Sequence, residues 1–173
     1  MTKPKKIALT AIFIASMIVL SRVLSIRTPI ITIGFSFVPI MLASIILGPK
    51  HTIFIAVISD IIGATFFPSG SYFLGFTLSA FLEGIIFGFG LYRPQFKIDL
   101  NFIIRLIITS LLVSIFINGI LNTLWIMIMT KWASNIVLPI RIIKQLIMVP
   151  VRVITILALA KIFEERIGSL VND

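Results

Sequence analysis

The chain has no cysteine and a single histidine, His51. Without thiols there is no disulfide, no thiol nucleophile and no cysteine-type metal site, and one imidazole does not make a histidine-rich one. Acids are nearly as scarce: six Asp and Glu stand against 15 Lys and Arg, and charged residues make up 12% of 173 positions. No GxxxxGK[ST] phosphate loop occurs, and no Ser/His/Asp set or carboxylate dyad. Such a chain hydrolyses no ATP and carries no catalytic constellation, so the reading is a non-enzyme with no cofactor and no metal. No cleavable signal peptide is expected either. The first apolar run lacks a small-residue cleavage site and is followed by Arg22 and Arg27.

What the chain has is apolar length. Hydrophobic residues form 59% of it and the mean hydropathy is +1.19, well above what a water-soluble domain carries. The expectation is a single all-α integral membrane domain over residues 1–173. Runs such as 7–21 and 100–130 reach the roughly 20 apolar residues that a spanning helix needs, without the alternation of a membrane barrel. Pro/Gly breaks at GPKH (48–51), FPSGSYF (67–73) and YRPQFKID (92–99), with RTPIITIGF (27–35) and TKWASN (130–135), divide it into six transmembrane helices. These are expected near 7–26, 34–48, 51–67, 74–92, 100–129 and 136–165.

Basic residues set the direction. With the N-terminus inside, Lys3, Lys5, Lys6, Lys50, Arg93, Lys97, Arg105, Lys161 and Arg166 are cytoplasmic, nine of the 15. Both termini are then cytoplasmic and FPSGSYF faces out. The net charge of +9 points to loops and anionic headgroups rather than nucleic acid, because no soluble basic face is available. The outer half still keeps Arg22, Arg27, Lys131, Arg141 and Lys144, with Arg152 deeper. Cations inside helices are costly in lipid and need a reason. An anionic ligand arriving from outside supplies one.

Two stripes match that reason. Ser114, Asn118, Asn122 and Trp125 line one face of the fifth segment, and Arg141, Gln145, Met148 and Arg152 line one face of the sixth, with Lys144 beside them. Facing each other they build a polar cleft. Amides suit a heterocycle edge, Trp offers a stacking face, and Arg and Lys suit carboxylates. The competing role for the amides is helix–helix glue. The acids at depth are Asp60 and Glu83; each is placed either to pair with Arg152 or to accept from an amino-substituted ring, and the sequence leaves both open. Arg22 falls almost on the face of Ala15, so it reaches an outer cleft only if the first helix bends or the side chain curls over its mouth. Ala80, Gly84 and Gly88 read as a tight internal packing face. Ala8, Ala11 and Ala15 read as either packing or a surface for another subunit.

The run LGPKHTIFIAVISDIIGATFFPSGSYFLGFTLSAFLEGIIFG (47–88) resembles the folate-specific S component of the energy-coupling factor (ECF) vitamin transporters. The Gly-Pro of the second loop, the SDIIG segment and above all FPSGSYFLGFTLSA carry the resemblance; the six-helix pattern and Ala-rich first helix extend it. It implies a subunit that binds folate tightly from outside and works with a membrane coupling protein and two ATPases. The small-residue face of the first helix, Ala8, Ala11 and Ala15, would dock on the coupling protein. For the ligand, Phe37, Tyr72, Phe73 and Trp125 are expected to stack the rings, Asn118, Asn122, Gln145 and Asp60 to read the pterin edge, and Arg22, Arg27, Arg141, Lys144 and Arg152 to offer charge to the glutamate. S components for pantothenate or a queuosine precursor, a stand-alone secondary transporter and an intramembrane enzyme are the alternatives.

Overall fold

The computed structural model describes residues 1–27, 32–68, 73–94, 96–130 and 134–164. The first column begins as α1 (Lys3–Ile18), with Pro4 in its first turn, where the missing amide hydrogen costs no helical bond. At Val19–Val23 it widens into a π-helix. The Leu24 amide donates to the Val19 carbonyl, five residues back, at 3.0 Å. A short antiparallel hairpin follows, β1 (Ile26–Arg27) and β2 (Thr32–Ile33), pairing Ile26 with Ile33 and Arg27 with Thr32. The sequence reading had only a loop here.

Helix α2 (Phe37–Leu47) is 11 residues long, with eight of them buried. It rises about 16 Å against a hydrocarbon layer of roughly 30 Å, so it is a central post and not a span. It ends at Gly48, whose φ of 78° and close approach to the Tyr92 ring exclude a side chain. Pro49 opens α3 (Pro49–Phe66), and the Thr52 hydroxyl donates to the Gly48 carbonyl at 2.9 Å.

Helix α4 (Leu74–Leu91) lies directly on α3. A Cβ on Gly84 would stand 2.9 Å from Ile53 Cα, and one on Gly88 2.8 Å from Pro49 Cα. The small-residue face of this helix is thus internal packing, as expected. Asp99 then caps α5 (Leu100–Leu112), its carboxylate accepting from the Phe102 amide at 2.7 Å and from Arg93 at 2.6 Å. The fifth column continues through a second π-helix, Val113–Leu121, into α6 (Asn122–Thr130). The chain closes with α7 (Ser134–Ile162), which holds Pro139 and Pro150 within it.

Six helical columns therefore stand where six were expected, with ends shifted by a few residues. Among the described residues, four of them are long and apolar enough to cross a membrane: Lys3–Val23, Leu74–Leu91, Leu100–Met129 and Leu138–Ile162. The α2 column is too short, and α3 is diluted by Lys50 and Asp60. The core is built around α2: Ile40 and Met41 meet Phe87 of α4, Phe102 and Leu106 of α5, and Ile156 and Ala160 of α7. Outward faces are apolar as well. Ile104, Ile108, Leu111, Ile115 and Phe116 are exposed along the fifth column, as a lipid-facing helix requires.

Candidate ligand-binding cleft

Two networks of polar side chains occupy the bundle interior. The first joins the first column to α3 and α4. Arg22 Nη2 lies 3.6 Å from Asp60 Oδ1, and Thr77 Oγ1 donates to Asp60 Oδ2 at 2.7 Å. Arg22 gets there because the π-helical turn at Val19–Val23 retards the winding of the first helix and swings position 22 off the face of Ala15. Space for the guanidinium is made by Gly63, where a Cβ would sit 2.5 Å from Arg22 Nε. Asp60 consequently pairs with Arg22 and not with Arg152.

The second network joins the fifth column to α7, so the two polar stripes do face each other. Arg141 is 4% exposed. Its Nε donates to Thr123 Oγ1 at 2.7 Å and its Nη2 to the Asn118 carbonyl at 2.8 Å. That carbonyl lies in the π-helix and also accepts from the Thr123 hydroxyl at 3.3 Å; Asn118 Nδ2 turns back to the Val113 carbonyl at 3.3 Å, and Asn122 Nδ2 donates to Asn118 Oδ1 at 3.3 Å. Arg141 thus serves as a clamp between columns.

Arg152 is placed differently. Its Nη1 donates to Ser114 Oγ at 2.9 Å and its Cζ stands 5.9 Å from the centre of the Phe37 ring, but its buried Nε has no partner. Glu83 is near enough for its charge to act on Arg152 and Lys144, without an ion pair among the described residues. A cation at this depth costs about 3 kcal/mol, and an interhelical hydrogen bond in a membrane returns about 0.6–2 kcal/mol. One hydroxyl and one ring face leave Arg152 under-compensated. Between the two arginines on α7, the Gln145 amide is buried with neither oxygen nor nitrogen satisfied, and Asn122 Oδ1 is likewise unpartnered. Open polar atoms of this kind on facing helices are what a polar ligand would satisfy.

The aromatic wall stands beside them. The rings of Phe73 and Trp125 are 5.4 Å apart, and Trp125 Nε1 donates to Ser79 Oγ at 3.1 Å. A Cβ on Gly75 would collide with Phe73 and stand 2.7 Å from Trp125 Cδ2. Phe37 is buried, its ring already facing Arg152. Of the remaining expected residues, Arg27 is on β1 opposite Thr32, and its side chain lies outside the described atoms. Tyr72, with residues 69–71, lies outside the described residues. Sequence reasoning missed Thr77, Ser79 and Thr123 as the acceptors and donors that hold Asp60, Trp125 and Arg141. Each is a hydroxyl within a transmembrane run, and that polarity was the available signal.

The chain matches the family described as ECF-type riboflavin transporter, S component, over residues 1–165. It belongs to the S-component family of ECF transporters. This S component is 36% identical over 146 residues to the folate transporter FolT of Clostridium novyi (strain NT), covering 84% of this chain and 82% of that one. To the folate transporter FolT of Leuconostoc mesenteroides subsp. mesenteroides it is 34% identical over 155 residues, covering 86% and 80%. A crystal structure of FolT bound with folic acid matches it with a TM-score of 0.78 at 36% identity, over 87% of this chain and 88% of that one. With its apolar helices, this makes the S component a multi-pass membrane protein and a non-enzymatic transport subunit.

Proposed function

We propose that this S component captures folate from the outer side of the cell membrane and delivers it across, as the substrate-specific subunit of an ATP-driven ECF transporter. Its partners are a membrane coupling protein and two ATPases. The observation that carries the reading is the cleft around Arg152, Gln145 and Asn122, where buried donors and acceptors stand unsatisfied beside an under-compensated cation. Folate supplies both missing parts, a polar heterocycle and a dicarboxylate tail. Arg152 and Lys144 offer charge to the tail, Asn122 and Gln145 read the ring edge, and Phe73 and Trp125 with Tyr72 stack it. Arg22 and Asp60 form the facing wall, and Arg27 lies at the hairpin over the mouth. Both termini are cytoplasmic and the cleft opens outward, a direction supported by the excess of Lys and Arg at the opposite ends of the helices.

The matched family description names riboflavin, while the relatives named above are folate transporters. Chemistry decides between them. Riboflavin has no carboxylate and would leave Glu83 as the acid acting on both Arg152 and Lys144. Equilibrium titration of the purified chain should give folate binding at least a hundredfold tighter than riboflavin binding. Equal affinities would overturn the folate reading and leave the family intact.

A further inference from the structure

A groove of about 420 Å³ runs along the outer surface between α4 and α5, away from the polar cleft. Its two walls differ along their length. At one end stand Gly90, Arg105 and Thr109; at the other, deeper in the layer, Ile85 and Leu112. The antiparallel helices bring the polar ends together, and Arg105 Nη1 reaches only weakly, at 3.5 Å, to the Gly90 carbonyl. The Thr109 hydroxyl is turned into its own helix, donating to the Arg105 carbonyl at 2.8 Å. Gly90 makes the crossing possible: a Cβ there would overlap Thr109 Cγ2.

We propose that this groove is a binding site for one anionic phospholipid, with its phosphate on Arg105 and an acyl chain along the apolar floor. Three observations select this occupant. The groove faces the hydrocarbon, since Phe89 and Ile108 on its rim are exposed at 66% and 50%. Its axis is amphipathic in the sense of a lipid, with charge at the helix ends and aliphatic side chains toward the membrane centre. From Arg105 to Leu112 the rise is about 10 Å, within one half of a roughly 30 Å layer. Charge complementarity is specific to Arg105. The neighbouring Arg93 is committed to Asp99 at 2.6 Å, whereas among the described residues Arg105 makes one long contact, to a carbonyl, and its side chain is exposed. A surface arginine attracts anionic lipid by about fivefold, and a groove that holds the chain turns this attraction into residence at one place.

The test uses the full chain in lipid nanodiscs containing phosphatidylglycerol and phosphatidylcholine with identical acyl chains. Retained lipids are counted by native mass spectrometry after mild delipidation. The wild type should keep one phosphatidylglycerol about fivefold more readily than phosphatidylcholine. Arg105→Gln should abolish the preference while a residual lipid of either kind remains, and Ile108→Trp should reduce retention of both by blocking the groove from its rim. Folate binding, whose residues lie elsewhere, serves as the folding control and should be unchanged in both variants. Equal retention of the two lipids by the wild type, or an undiminished preference in Arg105→Gln, would overturn the proposal. The wild-type competition stands even where a variant fails to fold, and none of these outcomes depends on which side the termini occupy.

Discussion

Asp60 is held from two directions, accepting a hydrogen bond from Thr77 at 2.7 Å and pairing with the Arg22 guanidinium at 3.6 Å, across three helical columns. Removing its charge while keeping its shape leaves Arg22 half-buried beside a neutral amide. Asp60→Asn should therefore cost about 1–3 kcal/mol, read as a lowered thermal midpoint in detergent. Gly63→Val should produce a similar loss by pushing the guanidinium away with Asp60 intact. If the substitutions leave the midpoint unchanged, the pair contributes nothing to holding the first column. The stripe of cations was legible in the sequence, but the division of labour within it was not. Arg141 and Arg152 occupy equivalent faces of one helix. They differ in their partners among the described residues: Arg141 meets a hydroxyl and a main-chain carbonyl of the fifth column, Arg152 a hydroxyl and a ring. Arg22 and Asp60 are 38 positions apart, and no local pattern links them.

At the scale of elements, apolar runs and Pro/Gly breaks located the helical columns because burial in lipid and chain geometry both write themselves into local composition. The two π-helices, Val19–Val23 and Val113–Leu121, left no such mark. Their stretches VLSRV and VSIFINGIL hold no proline, and a wider turn is selected by the partners it reaches. For the same reason the ideal α-spacing of the fifth segment missed Thr123, which the π-turn brings to Arg141. The fifth column starts at residue 100 as expected, and Asp99 caps it. The hydrogen bond from Arg93, then that from the Phe102 amide, holds its carboxyl below the usual 3.8. A lowered carboxyl pKa means a contribution complete above 3.8 and lost as the pH falls through the shifted value. Asp99→Asn should lower the thermal midpoint at pH 7, and the gap to the wild type should close as the pH falls below 3.8 and through the shifted value. A gap that persists there would mean that the cap acts through shape alone.

The whole molecule shows one face that its own bundle does not use. The column Lys3–Val23 is the least buried of the four spans, with 6% of its apolar window inside, and Ala8, Ala11 and Ala15 are all exposed. Small side chains there let another helix approach closely, which fits the docking of a coupling protein. Ala11→Trp should abolish folate uptake in cells that supply the coupling protein and ATPases, while folate binding to the isolated chain stays within about twofold, an allowance below 0.5 kcal/mol. Loss of binding in the same variant would place the stripe inside the fold.

Helix α2 sets a length for the crossing itself. It starts at Phe37, level with the guanidinium of Arg152, and ends at Gly48 after a rise of about 16 Å. A solute held at Phe37 would stand at one end of that post, about 16 Å from the other. The path still closed to it is a plug of Ile40, Met41 and Ile45, too densely packed to thread a dicarboxylate through. Release on the far side then calls for displacing the post as a whole rather than opening a pore along it.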